Sequence, residues 1–528
     1  MFTSLSKKKI FFIYLFFSIY FFAGLIFFKD FGFAFDEDIQ RKIAINNLNF
    51  IKDFFNFSLQ EKTKLLHPYY GVAFELPAMI LENLFKIEDI HNKFLFRHLL
   101  IFLFSFIGSI FFFLIVLKHY KSIILSIFGL LLLILSPRIF AESFYNSKDI
   151  IFMYAFVIAT YFSIIFLEKP NKVNIFFFSL TSAFLINIRI LGIILPLIIL
   201  MIFFIKYLRG NFKNFYFNFI FCFILLLIFT ILMWPALWSE PFKNITNAFL
   251  VFKSYNIEIF NFYLSDHTNA KNLHWYYVPL WIAVTTPPII LFLFIVGILL
   301  ILKRLLKRLV NIEDSKPNND LWRGKTEMID IIFIMIIFLP ICLVIFFNST
   351  LYSGWRHLYF IYPFIIIVSI NPMYQFRIIK LKYFSFLCST LALILIYYLY
   401  WNVKFHPFQF TYFNSIAGKE IHNKFDVDYW GLSNRYSLEY ILLNNKNKRV
   451  NVSNVSDTNL IHNIKILRKE KRLYLNYEPD LEKSDFIIDN NNFFDPVNKK
   501  RRKILNRFKV YHQLFVDDVL VTTIYKKR

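Results

Sequence analysis

Three consecutive acidic residues, Asp36, Glu37 and Asp38, are candidates for chemistry because they closely follow an apolar run from Lys9 to Phe28. A run of this length can cross the hydrocarbon core of a membrane, and ionisable side chains are costly beside that core unless a function retains them. We therefore expect Asp36 and Glu37 to act at a membrane surface, whereas Asp38 could simply be solvated. An enzyme that attacks a lipid-borne substrate would need carboxylates at this position.

The composition indicates a membrane protein with many spans. Of the 528 residues, 57% are hydrophobic and 72 are Phe, and long apolar runs recur along the chain. The net charge of +24 does not indicate nucleic-acid binding, because Lys and Arg lie in short loops between these runs. Cations there orient the spans and contact anionic lipid. The cysteines Cys222, Cys342 and Cys388 have neither metal-ligand nor disulfide spacing.

Length and hydropathy predict about eleven transmembrane helices, which form an all-α polytopic domain over residues 1–401. The first helix is expected to be a retained anchor, since no small-residue cleavage site follows it. Alternate loops carry most of the cations, which places the N-terminus in the cytoplasm and the long loop 29–97, with its acidic motif, outside. A bacterial inner membrane is the preferred location. The predicted spans are 10–28, 98–117, 122–135, 150–167, 173–187, 190–205, 215–234, 277–302, 329–347, 357–371 and 384–401.

Residues 402–528 predict a small α/β domain on the extracytoplasmic (periplasmic) side, since an odd number of spans precedes them. One helix is expected over 456–468. No phosphate-binding Gly-rich loop, paired-Cys motif or Ser-His-Asp arrangement occurs here, so we expect a structural cover rather than a second catalytic unit. Four strands are expected, at RVNVS from Arg449, RLYLNY from Arg472, DFIID from Asp485 and VLVTTIY from Val519.

Polar side chains from distant loops collect on the outer side of this topology. Arg189, for example, is the only charge between Val173 and Ile205. Transporters tend to place charges near the membrane midplane, so charges gathered at one interface favour surface chemistry over passage. Besides the acidic cluster and Arg189, the outer candidates are Tyr69, Tyr70, Arg138, Glu142, Lys148, Asp149, Arg356 and His357.

The order of these motifs resembles the GT-C superfamily of integral membrane glycosyltransferases. More closely, it resembles glycosyltransferase family 39, which includes the protein O-mannosyltransferases and, more distantly, the lipid A aminoarabinose transferases. The resemblance covers most of the membrane part and the first stretch beyond it. It rests on FDED at Phe35, SPRIFAESFYNSKD at Ser136, NIRILG at Asn187, WPALW at Trp234, PLWIAVTTPP at Pro279, YSGWRHLYFIYP at Tyr352, HPFQFTYFN at His406 and FDVDYWGLS at Phe425.

The resemblance implies a GT-C-like fold and a hexosyl- or pentosyltransferase. The enzyme would move a sugar from a polyprenyl-phosphate-linked donor to an acceptor hydroxyl on the extracytoplasmic face. It also implies that an acidic residue of the first outer loop is the catalytic base, which by position is Asp36, with Glu37 beside it. A single displacement would invert the anomeric carbon.

The leaving phosphate gains negative charge as its bond to the sugar breaks, so cations must stand near it. We expect Arg189, Arg356, His357 and Lys148 to bind this phosphate, with Arg favoured for its fork-shaped match to phosphate oxygens. The remaining candidates are expected to orient these cations or to contact the acceptor, which could be a protein, a lipid or a glycan. They are Arg138, Glu142, Asp149, Tyr69 and Tyr70.

Three alternatives stay open from the sequence. The first is a polytopic transporter or lipid flippase. The second is a metal-dependent GT-C transferase of oligosaccharides or lipid head groups, with a divalent metal at Asp36 and Asp38; otherwise no cofactor is expected. The third, a non-catalytic scaffold, leaves the acidic cluster unexplained.

Overall fold

The computed structural model describes residues 7–56, 63–208, 210, 214–253, 258–310, 322, 324–379, 381–446, 448–493 and 495–528. Helices account for most of the chain up to Lys404. In order they are α1 (Lys7–Phe27), α2 (Glu37–Phe55), α3 (Glu75–Leu84), α4 (Ile90–Tyr120), α5 (Ile123–Ile134), α6 (Pro137–Tyr145), α7 (Asp149–Glu168), α8 (Lys172–Ile188), α9 (Ile194–Leu208), α10 (Phe215–Met233), α11 (Pro241–Lys253), α12 (Tyr277–Thr285), α13 (Pro288–Val310), α14 (Gly324–Phe346), α15 (Tyr362–Ser369), α16 (Asn371–Ile379) and α17 (Leu381–Lys404). A hairpin of β1 (Phe260–Tyr263) and β2 (Asp266–Asn269) lies between α11 and α12.

Every predicted span overlaps helical structure, which confirms the all-α polytopic class. Within the described residues, eight helical segments are long and apolar enough to cross a membrane, or nine if the bent pair α5–α6 counts as one span. The span predicted over 277–302 is in fact two helices, α12 and α13. Pro287 and Pro288 lack backbone N–H groups, and Pro287 holds Thr286 in extended backbone (φ −94°, ψ 138°), so the helix cannot continue.

Helix α7 is the centre of the bundle, with most of its side chains buried. It packs against α4, α8 and α9, and against a 3-10 helix, Arg356–Ile361, that precedes α15. Outer helices such as α1, α10 and α13 instead expose large apolar side chains, among them Phe22, Phe217 and Phe292. Exposed apolar surface on this scale is unfavourable in water and suits contact with lipid.

Ionisable side chains gather at the two ends of α7, which are about 30 Å apart for a helix of this length. At the end where α7 finishes, Lys118 Nζ lies 2.7 Å from a Glu168 carboxylate oxygen and Arg304 pairs with Asp330. Lys118 and Arg304 are among the cations that the sequence assigns to the cytoplasmic loops. The candidate site lies at the other end, where α7 begins. Which end faces the cytoplasm stays a prediction.

The C-terminal region forms the α/β domain that the sequence predicts. Its five-stranded sheet has the order β4-β3-β5-β7-β6. Strands β4, β3 and β5 run parallel to one another, and β7 is antiparallel to both of its neighbours, β5 and β6. Its elements are α18 (Ser433–Asn444), β3 (Val450–Asn454), α19 (Leu460–Lys465), α20 (Lys469–Arg472), β4 (Leu475–Tyr477), β5 (Phe486–Asp489), β6 (Phe508–Val516) and β7 (Val519–Lys527).

Three elements of this domain were not predicted: α18, the short helix α20 and the edge strand β6. The helix predicted over 456–468 is the shorter α19. The domain boundary at residue 402 stays a prediction, because α17 runs on to Lys404 and the next residues pack against the bundle.

The C-terminal domain docks on the loop that carries the acidic cluster. Asn463 Oδ1 accepts a hydrogen bond from the Phe33 amide at 3.0 Å, and Asn463 Nδ2 donates to the Phe33 carbonyl at 3.3 Å. Arg435 donates to the Phe31 carbonyl at 2.7 Å, and Arg472 Nη2 lies 2.6 Å from Asp89 Oδ1. The residues just before Asp36 are therefore held between the helical bundle and this domain.

Candidate active site

A cavity of about 610 Å³ lies at the end of the bundle where α7 begins and α8 ends. We call it the main cavity. Its walls come from the start of α2, the loop before α3, the break after α8, the segment before α15 and the stretch that follows α17. Eight of the residues predicted from the sequence line it, namely Asp36, Asp38, Tyr69, Tyr70, Lys148, Arg189, Arg356 and His357.

Two carboxylates and two guanidinium groups form a continuous chain of contacts at this cavity. Arg356 Nη1 donates to Asp36 Oδ2 at 2.7 Å and lies 3.5 Å from Asp149 Oδ2. The other oxygen of Asp149 accepts a hydrogen bond from Arg189 Nη2. Asp149 and Arg356 are buried, whereas the Asp36 side chain is 30% exposed. Of these two carboxylates, Asp36 is the one that faces the cavity.

The local backbone explains how Arg189 reaches the cavity. The residue follows α8 in extended conformation (φ −145°, ψ 132°), ahead of a 3-10 turn over Ile190–Ile193. Gly71 packs so closely on α8 that a Cβ atom there would lie 1.8 Å from the Asn187 carbonyl oxygen. Only glycine permits this approach, which brings the loop bearing Tyr70 beside Arg189.

Lys148 lies immediately before α7 and sits over the Tyr70 ring, with Nζ 3.2 Å from the ring centroid. Burial and, next, the nearby Arg189 cation lower the pKa of Lys148 to about 7. The carboxylates of Asp36 and Asp149 act in the opposite direction but do not restore the ordinary value. Lys148 therefore changes charge near neutral pH.

Aromatic rings flank the central arginine. The Arg356 guanidinium carbon lies 4.8 Å from the centre of the Tyr352 ring and 4.5 Å from that of Trp430. Such contacts stabilise a cation that has been removed from water. Neither ring was singled out from the sequence, although both lie in motifs that support the family resemblance. The sequence does not show that these two rings stack on Arg356, because the contact depends on the fold.

Glu142 lies behind this wall and does not line the cavity. Its Oε1 accepts hydrogen bonds from the Tyr429 hydroxyl at 3.0 Å, the Tyr359 hydroxyl at 3.2 Å and Trp430 Nε1 at 3.3 Å. Asn146 Nδ2 donates to its second oxygen at 2.5 Å. Glu142 thus fixes the Trp430 ring on which Arg356 rests.

Arg138 is also placed away from the main cavity. Its Nε donates to the Tyr412 carbonyl at 2.8 Å, and its guanidinium carbon lies 4.5 Å from the centre of the Phe413 ring. The side chain is buried between α6 and the stretch after α17. This geometry ties two parts of the fold together and gives Arg138 no direct contact with the cavity.

Glu37 and Asp38, which follow Asp36 directly, have separate partners. Glu37 is buried, accepts a hydrogen bond from the Ala34 amide at 2.8 Å and lies 3.0 Å from His98 Nε2. Asp38 contacts Lys42 Nζ at 2.5 Å and His462 Nε2 at 3.2 Å. Burial opposes the ionisation of Asp38, but its hydrogen bonds with His462 and Lys42 outweigh burial and hold the pKa of Asp38 well below the ordinary value.

This pairing bears on the metal expected at Asp36 and Asp38. Asp36 is engaged by Arg356, whereas Asp38 is engaged by Lys42 and His462. Among the described residues, no group of three or more His, Cys, Asp and Glu side chains is arranged to hold a metal ion. The two carboxylates are thus held by different partners, and the use of a metal ion stays a prediction.

Several buried nitrogen atoms of cavity-lining residues have no hydrogen-bond partner in the described part of the chain. They are Arg189 Nε, Arg356 Nε and His357 Nδ1. A buried polar atom without a partner costs roughly 1–3 kcal/mol, a cost that a bound ligand can remove. The arginine nitrogens are donors and suit an anion.

No family model and no curated protein matches this chain. It is similar to the crystal structure of ArnT from Cupriavidus metallidurans bound to undecaprenyl phosphate, with a TM-score of 0.47, 9% identity and 98% of each chain covered. It is also similar to the apo state of the same protein, with a TM-score of 0.43, 10% identity and 96% of each chain covered. Both comparisons cover nearly the whole length of each chain.

Proposed function

We propose that this chain is a membrane glycosyltransferase that moves a sugar from a polyprenyl-phosphate-linked donor to an acceptor hydroxyl. The observation that carries the proposal is the main cavity, where a partly exposed carboxylate, Asp36, is hydrogen-bonded to Arg356 beside Arg189 and Lys148. A base and a cluster of cations in one pocket are the two elements that displacement of a sugar phosphate requires.

Asp36 is the proposed general base. The acceptor hydroxyl would give its proton to Asp36 as its oxygen forms a bond to the anomeric carbon. The bond from that carbon to the phosphate oxygen breaks at the same time, and its electron pair leaves with the phosphate. Because the acceptor attacks opposite the leaving group, this single displacement inverts the anomeric carbon. Asp149, the other carboxylate on Arg356, is fully buried and so cannot reach an acceptor.

The cations are proposed to bind the donor phosphate. With Lys148 protonated, three positive groups (Arg189, Arg356 and Lys148) face two carboxylates (Asp36 and Asp149), which leaves one positive charge. A phosphodiester carries one negative charge, which would offset the net charge of these five groups; Asp38, Glu258 and Lys42 also line the cavity. The guanidinium groups can donate two parallel hydrogen bonds to phosphate oxygens, and these contacts strengthen as the leaving oxygen gains charge.

The polyprenyl chain is proposed to run along the apolar part of the same cavity. Side chains from three helical segments supply that part, among them Ile188, Leu191 and Val344. Burial of apolar chain against such a wall stabilises binding by about 25 cal/mol per Å². The site would then face the extracytoplasmic side of a bacterial inner membrane, with the N-terminus in the cytoplasm.

We further propose that transfer needs no metal ion. Asp36, Glu37 and Asp38 each already have an ion-pair or hydrogen-bonding partner, and Arg356 and Arg189 would supply the charge that a metal would otherwise bring to the phosphate. Guanidinium groups in a low-dielectric site are sufficient to stabilise a leaving phosphate.

The test is a reconstitution of the purified protein into liposomes with a set of polyprenyl-phosphate-linked pentoses and hexoses. Mass spectrometry of envelope glycans, lipids and proteins from cells with and without the protein identifies the acceptor. We expect a glycosidic product that the Asp36→Asn variant does not form. Movement of the lipid across sealed vesicles without such a product would support the flippase alternative and contradict the proposal.

A further inference from the structure

A second cavity, of about 330 Å³, lies between the β1–β2 hairpin and the C-terminal domain. We call it the outer pocket and define it by His267, His422, Asn491, Lys499 and Arg502. It shares no lining residue with the main cavity. Its volume is at the lower end of the range for small-molecule sites.

The lining of the outer pocket is cationic. Four of its residues are basic or imidazole side chains, and none is an acid. Arg502 is neutralised by Asp489, with Nη2 2.7 Å from the carboxylate, and it also donates to Asn491 Oδ1 at 2.6 Å. Lys499 has no carboxylate within ion-pair distance in the described part of the chain; its Nζ instead lies 5.5 Å from the centre of the Phe262 ring. One positive charge is thus left without a counter-ion.

The two histidines add unused hydrogen-bonding capacity. Within the described residues, His267 Nδ1 and Nε2 and His422 Nδ1 are buried without a partner. Burial and, next, the nearby Lys499 cation lower the pKa of His267, and together they outweigh the opposing effect of the Asp266 carboxylate. A neutral imidazole still offers one N–H donor, so an anion could receive hydrogen bonds from the ring as well as from Lys499.

The backbone around the pocket is fixed. Phe262 donates its amide hydrogen to Asp426 Oδ2 at 3.1 Å, and the Ser265 amide donates to the Lys424 carbonyl at 3.3 Å. On the opposite wall, Asn491 has positive φ (57°) and its amide donates to Asp489 Oδ1 at 2.8 Å. The polar side chains are thus presented by loops that are already ordered, which lowers the entropy lost on binding.

We propose that the outer pocket binds an anionic group, phosphate or carboxylate, on a molecule no larger than a monosaccharide. The uncompensated Lys499 supplies the charge, and the imidazoles and Arg502 supply hydrogen bonds. This inference does not depend on the transferase proposal. Ile259 lines the main cavity and Phe262 lines the outer pocket, so the two sites are only about 10 Å apart along β1.

The experiment is calorimetric titration of the full-length protein in lipid nanodiscs with inorganic phosphate, glucuronate and glucose. We expect phosphate, glucuronate or both to bind and glucose not to bind. The Lys499→Gln variant should bind the anion about tenfold more weakly, because a charge-assisted contact is lost. The matched control, Lys500→Gln, makes the same charge change on the same exposed segment outside the pocket and should bind as wild type does.

Arg189→Ala separates this pocket from the main cavity. Anion binding that survives Arg189→Ala but weakens in Lys499→Gln supports the outer pocket. The proposal is overturned if neither anion binds to the wild type, if glucose binds as tightly as glucuronate, or if Lys500→Gln weakens binding as much as Lys499→Gln. It is also overturned if Arg189→Ala alone abolishes binding. Each of these outcomes is independent of whether a sugar is transferred.

Discussion

Arg356 Nη1 lies 2.7 Å from Asp36 Oδ2, although 320 positions separate the two residues along the chain. The contact joins the first loop after α1 to the segment before α15. It places the proposed base and the main phosphate-binding cation at one point, as a displacement at a sugar phosphate requires. Five expectations follow from the geometry around this pair.

Asp36→Asn is expected to reduce transfer by about 10²–10⁴-fold, because an amide cannot accept the acceptor proton. The fold should persist, since Arg356 retains Asp149 as a counter-ion. Transfer rates in liposomes and thermal melting check both points. Asp38→Asn is the matched control and should keep transfer within a few-fold of wild type, because Asp38 pairs with Lys42 and His462 instead. Near-normal transfer by Asp36→Asn would refute the base assignment.

Arg356→Lys is expected to weaken donor binding by about tenfold, since lysine keeps the charge but cannot donate two parallel hydrogen bonds to the phosphate oxygens. Arg356→Ala is a poor test, because it would leave the carboxylates of Asp36 and Asp149 without their shared cation. Breaking a buried pair in this way costs about 3–5 kcal/mol. Equilibrium binding of the lipid donor, with melting temperature as the control, distinguishes the two variants. Unchanged affinity in a folded Arg356→Lys protein would argue against phosphate contact.

Donor binding is expected to weaken as pH rises from 6 to 8.5, because the pKa of Lys148 is about 7 and the side chain loses its charge over this range. A phosphodiester donor keeps one negative charge throughout, so the donor does not cause the change. The loss should not exceed about tenfold, the usual value of one charge-assisted contact. Lys148→Arg should give a nearly flat pH profile, since arginine stays protonated. An equally steep profile in Lys148→Arg would assign the titration to another group.

Glu142→Gln is expected to destabilise the fold by about 1–3 kcal/mol. Asn146 Nδ2 now donates to a carboxylate oxygen of Glu142, and in the variant an NH₂ group, which is also a donor, would take the place of that oxygen. The Trp430 ring should loosen and change its fluorescence, and turnover should fall more than donor affinity. Tyr359→Phe removes only one of the hydrogen bonds to Glu142 and should have a smaller effect on each measurement. Unaltered fluorescence and turnover in Glu142→Gln would show that Glu142 does not position the cavity wall.

Chelators such as EDTA are expected to leave transfer unchanged, because Asp36 and Asp38 are paired with different cations. The assay uses protein dialysed against chelator, with Mg²⁺ or Mn²⁺ added back as the comparison. Loss of activity that either metal restores would favour the metal-dependent alternative.

Much of the bundle could be predicted because long apolar runs are themselves the evidence for membrane spans. The break between α12 and α13 was hidden within such a run, since hydropathy does not register the missing N–H groups of Pro287 and Pro288. Helix α2 and strand β6 were missed because their residues mix polar and apolar types and so contain no long apolar run. Their positions depend on what packs against them.

The candidate site was only partly predictable. The sequence placed Asp36, Arg189 and Arg356 on one side of the bundle, because charges are rare near apolar runs and therefore conspicuous. Residue type alone could not separate Asp36, the base that the family resemblance implies, from Glu37. The burial of Glu37 against His98 becomes visible only when α4 is packed beside α2. Trp430 and Tyr352 were equally hidden, since the sequence contains many aromatic residues and only distance distinguishes those that flank Arg356.

The clasp between Asn463 and the Phe33 backbone has a consequence for how this molecule can be engineered. The amide side chain fixes the peptide three residues ahead of the proposed base, so the C-terminal domain also helps to hold that residue at the main cavity. Deleting or exchanging the C-terminal domain would release the loop that precedes Asp36, even if every helix of the bundle were kept intact. Chimeric proteins should therefore take the first loop and the C-terminal domain from the same parent.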